Sequence, residues 1–214
     1  MTRIVLATRN AGKIAELRRI LGGLRAADGS GVDVVGLEEF PDAPDVPETE
    51  LTFEGNALLK ARAIAAHTGL PAVADDSGLC VDALGGMPGV LSARWSGRFG
   101  DASGDKDRAN LELVLDQLAD VAEDRRGGAF VCAAALVLPG GVEHCVEGRL
   151  RGRIIDAPRG SGGFGYDPIF LPDGETRTTA EMSPEEKDAI SHRGRAFRAL
   201  AGILPQALSS AASA

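Results

Sequence analysis

Residues 70–78 read Leu70-Pro71-Ala72-Val73-Ala74-Asp75-Asp76-Ser77-Gly78, an apolar run followed at once by two carboxylates and a hydroxyl. The apolar run predicts a short strand that ends at Asp75, and the carboxyl ends of strands are where α/β proteins usually place their chemistry. Because neighbouring side chains on an extended backbone point to opposite faces, Asp75 and Asp76 should have different partners and different roles. Asp, Ser and Gly are also common turn residues, so this stretch alone leaves a plain turn open.

The length and the cysteine pattern limit the class of protein to which the chain can belong. A chain of 214 residues suffices for one α/β domain or two closely packed lobes, and we expect a single domain over residues 1–208 with a frayed tail at 209–214. Three cysteines without metal-ligand spacing predict reduced thiols in a reducing cytoplasm. The chain enters a strand pattern at once and carries no long apolar segment, which predicts a soluble, unexported protein without a membrane partner.

The charge pattern argues against nucleic acid as a partner. The formal net charge of −8 is the opposite of what a phosphate backbone attracts, so any anionic ligand must meet local positive charge. Lysine is scarce, occurring only at Lys13, Lys60, Lys106 and Lys187. Three of these four lie in the motifs described below, which agrees with an ammonium group used as a point charge on phosphate.

The first strand leads into the polar stretch Ala7-Thr8-Arg9-Asn10-Ala11-Gly12-Lys13, after which apolar residues recur at helical spacing. A helix N-terminus presents unpaired N–H groups and a partial positive charge, so Thr8, Asn10 and Lys13 make a plausible phosphate cradle. The stretch is not a P-loop, which requires GxxxxGK[ST]. An ordinary turn with a solvated lysine is the alternative.

An acidic, proline-rich loop at residues 38–48 precedes the second helix, for which Thr52 is the predicted N-cap. Asn56 and Lys60 lie four residues apart and therefore share a face of this helix, opposite an apolar stripe. That face could line a cleft, although a solvated Lys-Asn face is the commoner arrangement.

Residues 160–165 read Gly-Ser-Gly-Gly-Phe-Gly and satisfy the GxGxxG pattern literally. A dinucleotide fingerprint must follow a strand and open a helix, whereas Pro168 blocks a helix start here, so we reject that interpretation. We expect the glycines to allow close backbone approach to a ligand, with Phe164 or Tyr166 free to stack on a flat ring and Asp167 free to accept a hydrogen bond. The C-terminal part opens a helix at Ser183-Pro184, and His192 is by default a surface or cap histidine.

These motifs together resemble the inosine triphosphate pyrophosphatases, the family of non-canonical purine nucleoside triphosphate (dITP/XTP) pyrophosphatases. The resemblance is carried by six blocks in order along nearly the whole chain: residues 7–13, 53–61, 74–79, 88–94, 162–170, and Lys187 with 191–194. One departure is visible, because the family commonly has Phe-x-Glu-Asn-Ala where this chain has Phe53-Glu54-Gly55-Asn56-Ala57. An acid has been moved or lost at Gly55.

The resemblance implies an elongated mixed α/β fold with a central mixed sheet and two lobes flanking a substrate cleft, assembled as a homodimer. It implies Mg2+-dependent hydrolysis of ITP, dITP and XTP to the monophosphate and pyrophosphate, which keeps deaminated purines out of DNA and RNA. By position, Asp76 would be the proton acceptor and a metal ligand. The residues that would bind the nucleotide are Thr8, Arg9, Asn10, Ala11, Gly12, Lys13, Ser77, Phe164, Gly165, Tyr166, Asp167, Lys187, His192 and Arg193.

The chemistry of the residues fits this implication. Attack of water on phosphorus needs charge neutralisation and an activated water, which Mg2+ and a carboxylate supply together, and Asp76 then needs a normal low pKa. Glu48 is a candidate second metal ligand, and Asn56, Lys60 and Asp75 are supporting candidates. Two other classes stay open: a regulatory protein that binds nucleotide without hydrolysing it, and a Mg2+-dependent phosphatase that releases orthophosphate from monoesters.

Overall fold

A mixed sheet organises the chain. The computed structural model describes residues 2–23, 25 and 29–211, and within them the strands are β1 (Thr2–Leu6), β2 (Val32–Gly36), β3 (Ala72–Val81), β4 (Gly127–Val137), β5 (Glu143–Ile154) and β6 (Phe170–Pro172). Their order in the sheet is β2-β1-β3-β4-β5-β6, with β1 parallel to both β2 and β3 and with β5 antiparallel to β6. The mixed α/β fold predicted from the sequence is thereby confirmed.

The helices begin where the sequence supplies caps. They are α1 (Ala11–Leu21), α2 (Phe53–Thr68), α3 (Arg98–Ser103), α4 (Lys106–Gln117), α5 (Pro184–Ile190) and α6 (His192–Ala211). Asn10, Thr52 and Asp105 each accept a hydrogen bond from a first-turn amide, and Ser183 forms a capping box with Glu186. Each cap satisfies a backbone donor that the helix itself leaves without a partner.

The chain divides into two compact units. Unit 1 comprises Met1–Asp76, Cys132–Gly148 and Arg193–Ala214, and unit 2 comprises Ser77–Val131 and Arg149–His192. Strands β3, β4 and β5 supply residues to both units. Each unit has its own apolar core, so each is described separately below.

Both faces of β1 are buried in unit 1. Ile4 and Leu6 join a core that includes Leu17 of α1 and Phe197 of α6, whereas Val5 belongs to a second core with residues of α2. A strand covered on both faces must be apolar at consecutive positions, which explains its unbroken Ile-Val-Leu sequence. The covered sheet positions the segments that carry the polar residues of unit 1.

The core of unit 2 packs the second half of β3 against α4 and the ends of β4, β5 and β6. Its fully buried members include Leu79, Val114, Leu118, Ile154 and Phe170, and the rings of Phe130 and Phe170 lie 4.4 Å apart. The apolar residues of α4 therefore face a core.

Strand β3 is longer than predicted. The sequence indicated a short strand that ends at Asp75, but β3 continues through Asp76, Ser77 and Gly78 to Val81. Leu79 and Val81 are fully buried, and the amide of Leu79 donates to the Ser92 hydroxyl. Core packing and hydrogen bonding thus override the turn tendency of Asp-Ser-Gly, and the two carboxylates lie inside the strand instead of at its end.

Part of the tail predicted at residues 209–214 is helical. Residues 209–211 belong to α6, and residues 212–214 lie outside the described residues. None of the described helices has the length and apolar character needed to cross a membrane.

Gly152 provides a test of the sheet edge formed by β5 and β6. Gly152 pairs with Pro172, and a Cβ at this position would overlap the carbonyl oxygen of Leu171 and lie 2.8 Å from the Phe170 ring. We expect Gly152→Ala to lower the free energy of unfolding by about 2 kcal/mol, measured by urea denaturation, because a close-packed contact cannot absorb a methyl group.

Gly202 is the matched control. It lies exposed inside α6, and a Cβ there would have no neighbouring atom within 4 Å. Gly202→Ala should raise the free energy of unfolding by about 0.5–1 kcal/mol through helix propensity. Equal effects of the two substitutions would contradict the packing assigned to Gly152.

Candidate active site

Asp75 lies at the centre of a buried chain of charges in unit 1. Its Oδ2 accepts a hydrogen bond from the Lys13 ammonium at 2.8 Å and lies 3.4 Å from Nε of Arg193. Arg193 in turn donates from Nη1 to Glu16 Oε2 at 2.5 Å. Along the chain of contacts, Glu16, Arg193, Asp75 and Lys13 alternate in sign, so each of these charges has an opposite neighbour.

The neighbouring cations decide the protonation state of Asp75. Burial by itself raises the pKa of a carboxyl, but Lys13, Arg193 and Lys60 outweigh it and hold the pKa of Asp75 well below its ordinary value. Burial likewise opposes the charge on Arg193, yet Asp75 and Glu16 raise the pKa of its guanidinium. Asp75 is therefore a permanent anion that fixes Lys13 and Arg193 in place.

Asp76 has different partners, as the alternation along a strand requires. Asn56 Nδ2 donates to Asp76 Oδ2 at 3.0 Å, and the Lys60 ammonium lies 3.7 Å from Asp76 Oδ1 and 3.0 Å from Glu48 Oε1. The predicted polar face of α2 therefore does meet a carboxylate in unit 1. Lys60 lies between two carboxylates, one from the acidic loop and one from β3.

The prediction of a normal low pKa for Asp76 is wrong. Burial raises the pKa of its carboxyl above the ordinary value and Glu48 adds to this effect, whereas Lys60, Asn56 and Lys13 act in the opposite direction without cancelling it. The sequence could not show this, because the balance depends on how deeply the carboxyl lies and on which charges face it. A raised pKa is what a carboxylate needs to accept a proton near neutral pH.

The donors around Asp76 suit a magnesium ion. Within the described residues, no three His, Cys, Asp or Glu side chains form a ready-made metal site. Mg2+ is usually held by one or two carboxylates together with substrate phosphates and water, so the pair of Glu48 and Asp76 fits that ion. The Lys60 ammonium forms ion pairs with both carboxylates and offsets part of their combined negative charge.

The predicted phosphate cradle has an ordered backbone. Asn10 accepts from the amide of Lys13 as the N-cap of α1, and the amide of Asn10 donates to the Thr8 hydroxyl at 3.2 Å. Gly12 lies in the first turn, and α1 begins at Ala11. The Arg9 side chain is directed to the acidic loop, where it donates to the Ala43 carbonyl at 2.7 Å and to Asp45 at 3.2 Å.

Unit 2 holds a second group of predicted residues around Asp167. The Asp167 carboxylate accepts from the Phe164 amide at 2.8 Å, from the Thr179 hydroxyl at 2.7 Å and from the Lys187 ammonium at 2.5 Å. The same ammonium lies 5.0 Å from the centroid of the Phe164 ring. One carboxylate therefore brings together an aromatic ring and a cation that the sequence places 23 residues apart.

The glycines of the 160–165 loop serve a purpose other than the predicted one. A Cβ at Gly160 or Gly162 would press on the backbone of Ala180, and a Cβ at Gly163 would overlap the Asp167 carboxylate. These three glycines allow close approach of protein to protein, whereas we expected approach to a ligand. The loop continues into one 3-10 turn at Asp167–Ile169 and then into β6, so residues 166–172 open no α-helix, which agrees with rejection of the dinucleotide fingerprint.

The remaining predicted residues of unit 2 are buried or half-buried. The Tyr166 hydroxyl donates to the Ser92 carbonyl at 2.7 Å, and the amide of Gly165 donates to Asp107 at 2.9 Å. His192 is buried and stacks on Phe130 at 4.9 Å, so the expectation of a surface histidine is wrong. Ser77 follows Asp76 in β3 and is half-buried.

Sequence reasoning missed Glu16, Thr179 and Phe130. Only Glu16 had a usable signal, because it follows Lys13 by three residues and so shares its face of α1. Thr179 and Phe130 come close to their partners only through the tertiary fold.

Comparison with known proteins decides the family. Residues 4–203 match the sequence profile of the Ham1 family. The chain belongs to the Ham1 family. The dITP/XTP pyrophosphatase of Streptomyces avermitilis is 62% identical over 97% of this chain and 100% of that protein, and the one of Mycobacteroides abscessus is 57% identical over 94% of each.

Solved structures of related proteins support the same family. A nucleoside-triphosphatase, described as a dITP/XTP pyrophosphatase, from Mycobacterium abscessus is 56% identical with a TM-score of 0.74, covering 93% of this chain and 98% of that one. A HAM1 protein from Coxiella burnetii is 40% identical with a TM-score of 0.84, covering 96% and 100%. The resemblance drawn from the motifs, and with it the expected class of nucleoside triphosphate pyrophosphatase, is confirmed.

The structure explains why glycine fits at position 55, where the family commonly has glutamate. Gly55 is the third residue of α2, and a Cβ there would lie 2.7 Å from the Cβ of Glu50, closer than two such carbons can approach. The backbone amide of Glu50 donates to Asn56 Oδ1 at 2.9 Å, which holds Glu50 against the helix start. An acid is therefore present beside Gly55, five residues earlier in the chain.

Substitution of Asp75 tests the buried charge chain of this Ham1 protein. Because the pKa of Asp75 is lowered on folding, its stabilising effect is present above the unfolded pKa, about 3.9, and is lost as pH falls further. We expect Asp75→Asn to lower the free energy of unfolding by about 3 kcal/mol at pH 7 in urea denaturation, since two buried cations lose their anion. The difference in the free energy of unfolding between the variant and the wild type should become smaller below about pH 4.

Asp33→Asn is the matched control, because Asp33 forms an exposed ion pair with Arg3 in the same unit. Its effect should stay below about 1 kcal/mol. If Asp75→Asn proved equally mild at pH 7, Asp75 would not be the anion on which Lys13 and Arg193 depend.

The contact between Glu50 and Gly55 can be tested by comparing the change in melting temperature that one substitution causes in two backgrounds. Gly55→Ala should lower the melting temperature in the wild-type background, because the new methyl group meets Glu50. In a Glu50→Gly background the same substitution should raise it, since alanine is the better helix residue by about 1 kcal/mol. The same sign in both backgrounds would show that Glu50 does not determine which residue fits at position 55.

Proposed function

We propose that this chain hydrolyses non-canonical purine nucleoside triphosphates (ITP, dITP and XTP) to the monophosphate and pyrophosphate in a Mg2+-dependent reaction. The observation that carries the proposal is Asp76, a buried carboxylate with a raised pKa that lies between Asn56 and Lys60 in a chain of the Ham1 family. The activity follows the names of the relatives, which are called dITP/XTP pyrophosphatases.

Asp76 is the proposed proton acceptor. A water oxygen bonds to the α-phosphorus, the bond from that phosphorus to the bridging oxygen breaks, and the proton of the water passes to the Asp76 carboxylate. Asn56 supports this role by donating to Asp76 Oδ2, which fixes the orientation of the carboxylate. Burial supports it as well, because the raised pKa makes the carboxylate a stronger base.

Glu48 and Asp76 are the proposed ligands of Mg2+. When bound, the ion would neutralise the polyphosphate and polarise its oxygens. Lys60 contacts both carboxylates and so belongs to the same group of charges.

Residues 8–13, which include Lys13, are proposed to form the phosphate-binding segment. The support is the N-terminus of α1, whose amides point outward from a helix, and the Lys13 ammonium, which has three donors and uses one on Asp75. Arg9 is committed to Ala43 and Asp45, so its proposed contribution is to the acidic loop that carries Glu48 and not to the nucleotide directly.

The base is proposed to meet Phe164, Lys187 and His192 of unit 2. Phe164 supplies a flat face, and the other two supply donors that suit the 6-oxo acceptor of hypoxanthine and xanthine. Adenine presents an amino donor at the same position, so it would place donor against donor. We further propose a cytoplasmic homodimer that acts without nucleic acid or membrane.

The decisive assay incubates the protein with ITP and MgCl2 and identifies the products by phosphorus NMR. We expect pyrophosphate and IMP from the wild type, and a rate at least about 100-fold lower for Asp76→Asn, because the acceptor of the proton is lost. Omission of Mg2+ or addition of EDTA should also abolish turnover.

Asp82→Asn serves as the control, since Asp82 is an exposed carboxylate next to the same strand and pairs with Arg151. Its rate should stay within a few-fold of the wild type. Orthophosphate as the first product would favour a phosphomonoesterase, and saturable ITP binding without any product would favour a regulatory nucleotide-binding protein.

A further inference from the structure

The Asp167 carboxylate is enclosed by its own protein. The residue is 2% exposed, and its Oδ2 accepts from both the Phe164 amide and the Lys187 ammonium. Its Oδ1 accepts from the Thr179 hydroxyl, which fixes the rotamer of the side chain. Gly163 closes the remaining side, because even a Cβ there would overlap Oδ2.

These contacts hold an exposed aromatic residue and a buried ammonium next to each other. Phe164 is 39% exposed, Lys187 is 9% exposed, and the Lys187 ammonium lies 5.0 Å from the centroid of the Phe164 ring. A cation at this distance is attracted to the face of an aromatic ring. An ammonium has three donors, so Lys187 retains two after it bonds to Asp167.

We propose that Asp167 is a positioning residue that fixes the Lys187 ammonium beside the Phe164 ring and that its carboxylate does not itself contact the nucleotide. The inference rests on the proposed function and changes the role that the family resemblance implied for Asp167. Asp167 is only 2% exposed and its carboxylate already accepts from three donors, so a base would have to displace one of them to reach it.

Asp167→Asn separates these roles. In Asp167→Asn, the amide oxygen in the place of Oδ2 keeps the Phe164 amide as its donor, and the new NH2 group faces the Thr179 hydroxyl, which can accept. The substitution removes the negative charge, so the ion pair that holds the Lys187 ammonium becomes a weaker bond to a neutral oxygen, while the backbone of the loop keeps its acceptor. Lys187→Met removes the ammonium itself, and the double variant leaves neither charge buried without a partner.

The test is a double-mutant cycle with two readouts. The first is KM and kcat for ITP with Mg2+ in the wild type, Asp167→Asn, Lys187→Met and the double variant. We expect Asp167→Asn to raise KM at least about tenfold with kcat within about threefold, the pattern of lost binding. In the Lys187→Met background the same substitution should change KM less than about twofold, since its effect passes through Lys187.

The second readout is the side-chain ammonium spectrum by proton-nitrogen NMR, which does not depend on turnover. The chain has four lysines, so the Lys187→Met variant assigns the Lys187 signal. Asp167→Asn should shift or abolish this signal. Asp107→Asn is the matched control, because Asp107 accepts from Gly165 in the same loop but bonds to no lysine ammonium in the described structure, and it should leave the signal and KM unchanged.

Three results would overturn the inference or the function separately. An equal rise of KM from Asp167→Asn in both backgrounds would mean that the carboxylate contacts the base directly. An unchanged Lys187 signal in Asp167→Asn would mean that Asp167 does not hold Lys187. A wild type that releases no pyrophosphate from ITP would end the proposed function, and the ammonium spectra would still decide whether Asp167 positions Lys187.

Discussion

A permanently charged carboxylate buried inside a strand sets the arrangement of unit 1. Asp75 is 3% exposed and carries its charge only because Lys13 and Arg193 lie against it, with Glu16 balancing Arg193 on the far side. Taking an unpaired charge out of water costs far more than a folded domain can spare, so these groups must come together for the unit to fold. The same requirement draws together α1, β3 and the first turn of α6.

The neighbouring carboxylate has the opposite environment because a strand alternates its faces. Asp75 meets fixed cations and its pKa falls, whereas Asp76 meets an amide, one lysine and a second acid and its pKa rises. Two adjacent aspartates thus become a structural anion and a candidate base. This division separates the roles of the two residues of the Asp75-Asp76 dipeptide, and it favours Asp76 over Asp75 as the candidate base.

Unit 2 uses a buried carboxylate in a related way. Asp167 gathers an amide, a hydroxyl and an ammonium, and the glycines of the 160–165 loop let the backbone approach closely enough to do so. A buried acid that is fully hydrogen-bonded is rigid, so the groups attached to it become rigid too. The Phe164 backbone and the Lys187 ammonium are held in place by these bonds.

The sequence alone determined the mixed α/β class, the helix starts at Thr52 and Ser183, the pairing of Asn56 with Lys60 on one helix face, and the family. These features depend on local spacing and on backbone hydrogen bonds a few residues apart. Only the tertiary structure decided that β3 continues through Asp75 and Asp76 and that the pKa of Asp76 is raised. It also decided that His192 is buried against Phe130 and that the glycines of the 160–165 loop make room for Ala180 and Asp167. Burial and the charges that face a group come from segments distant along the chain, and no local pattern encodes those distances.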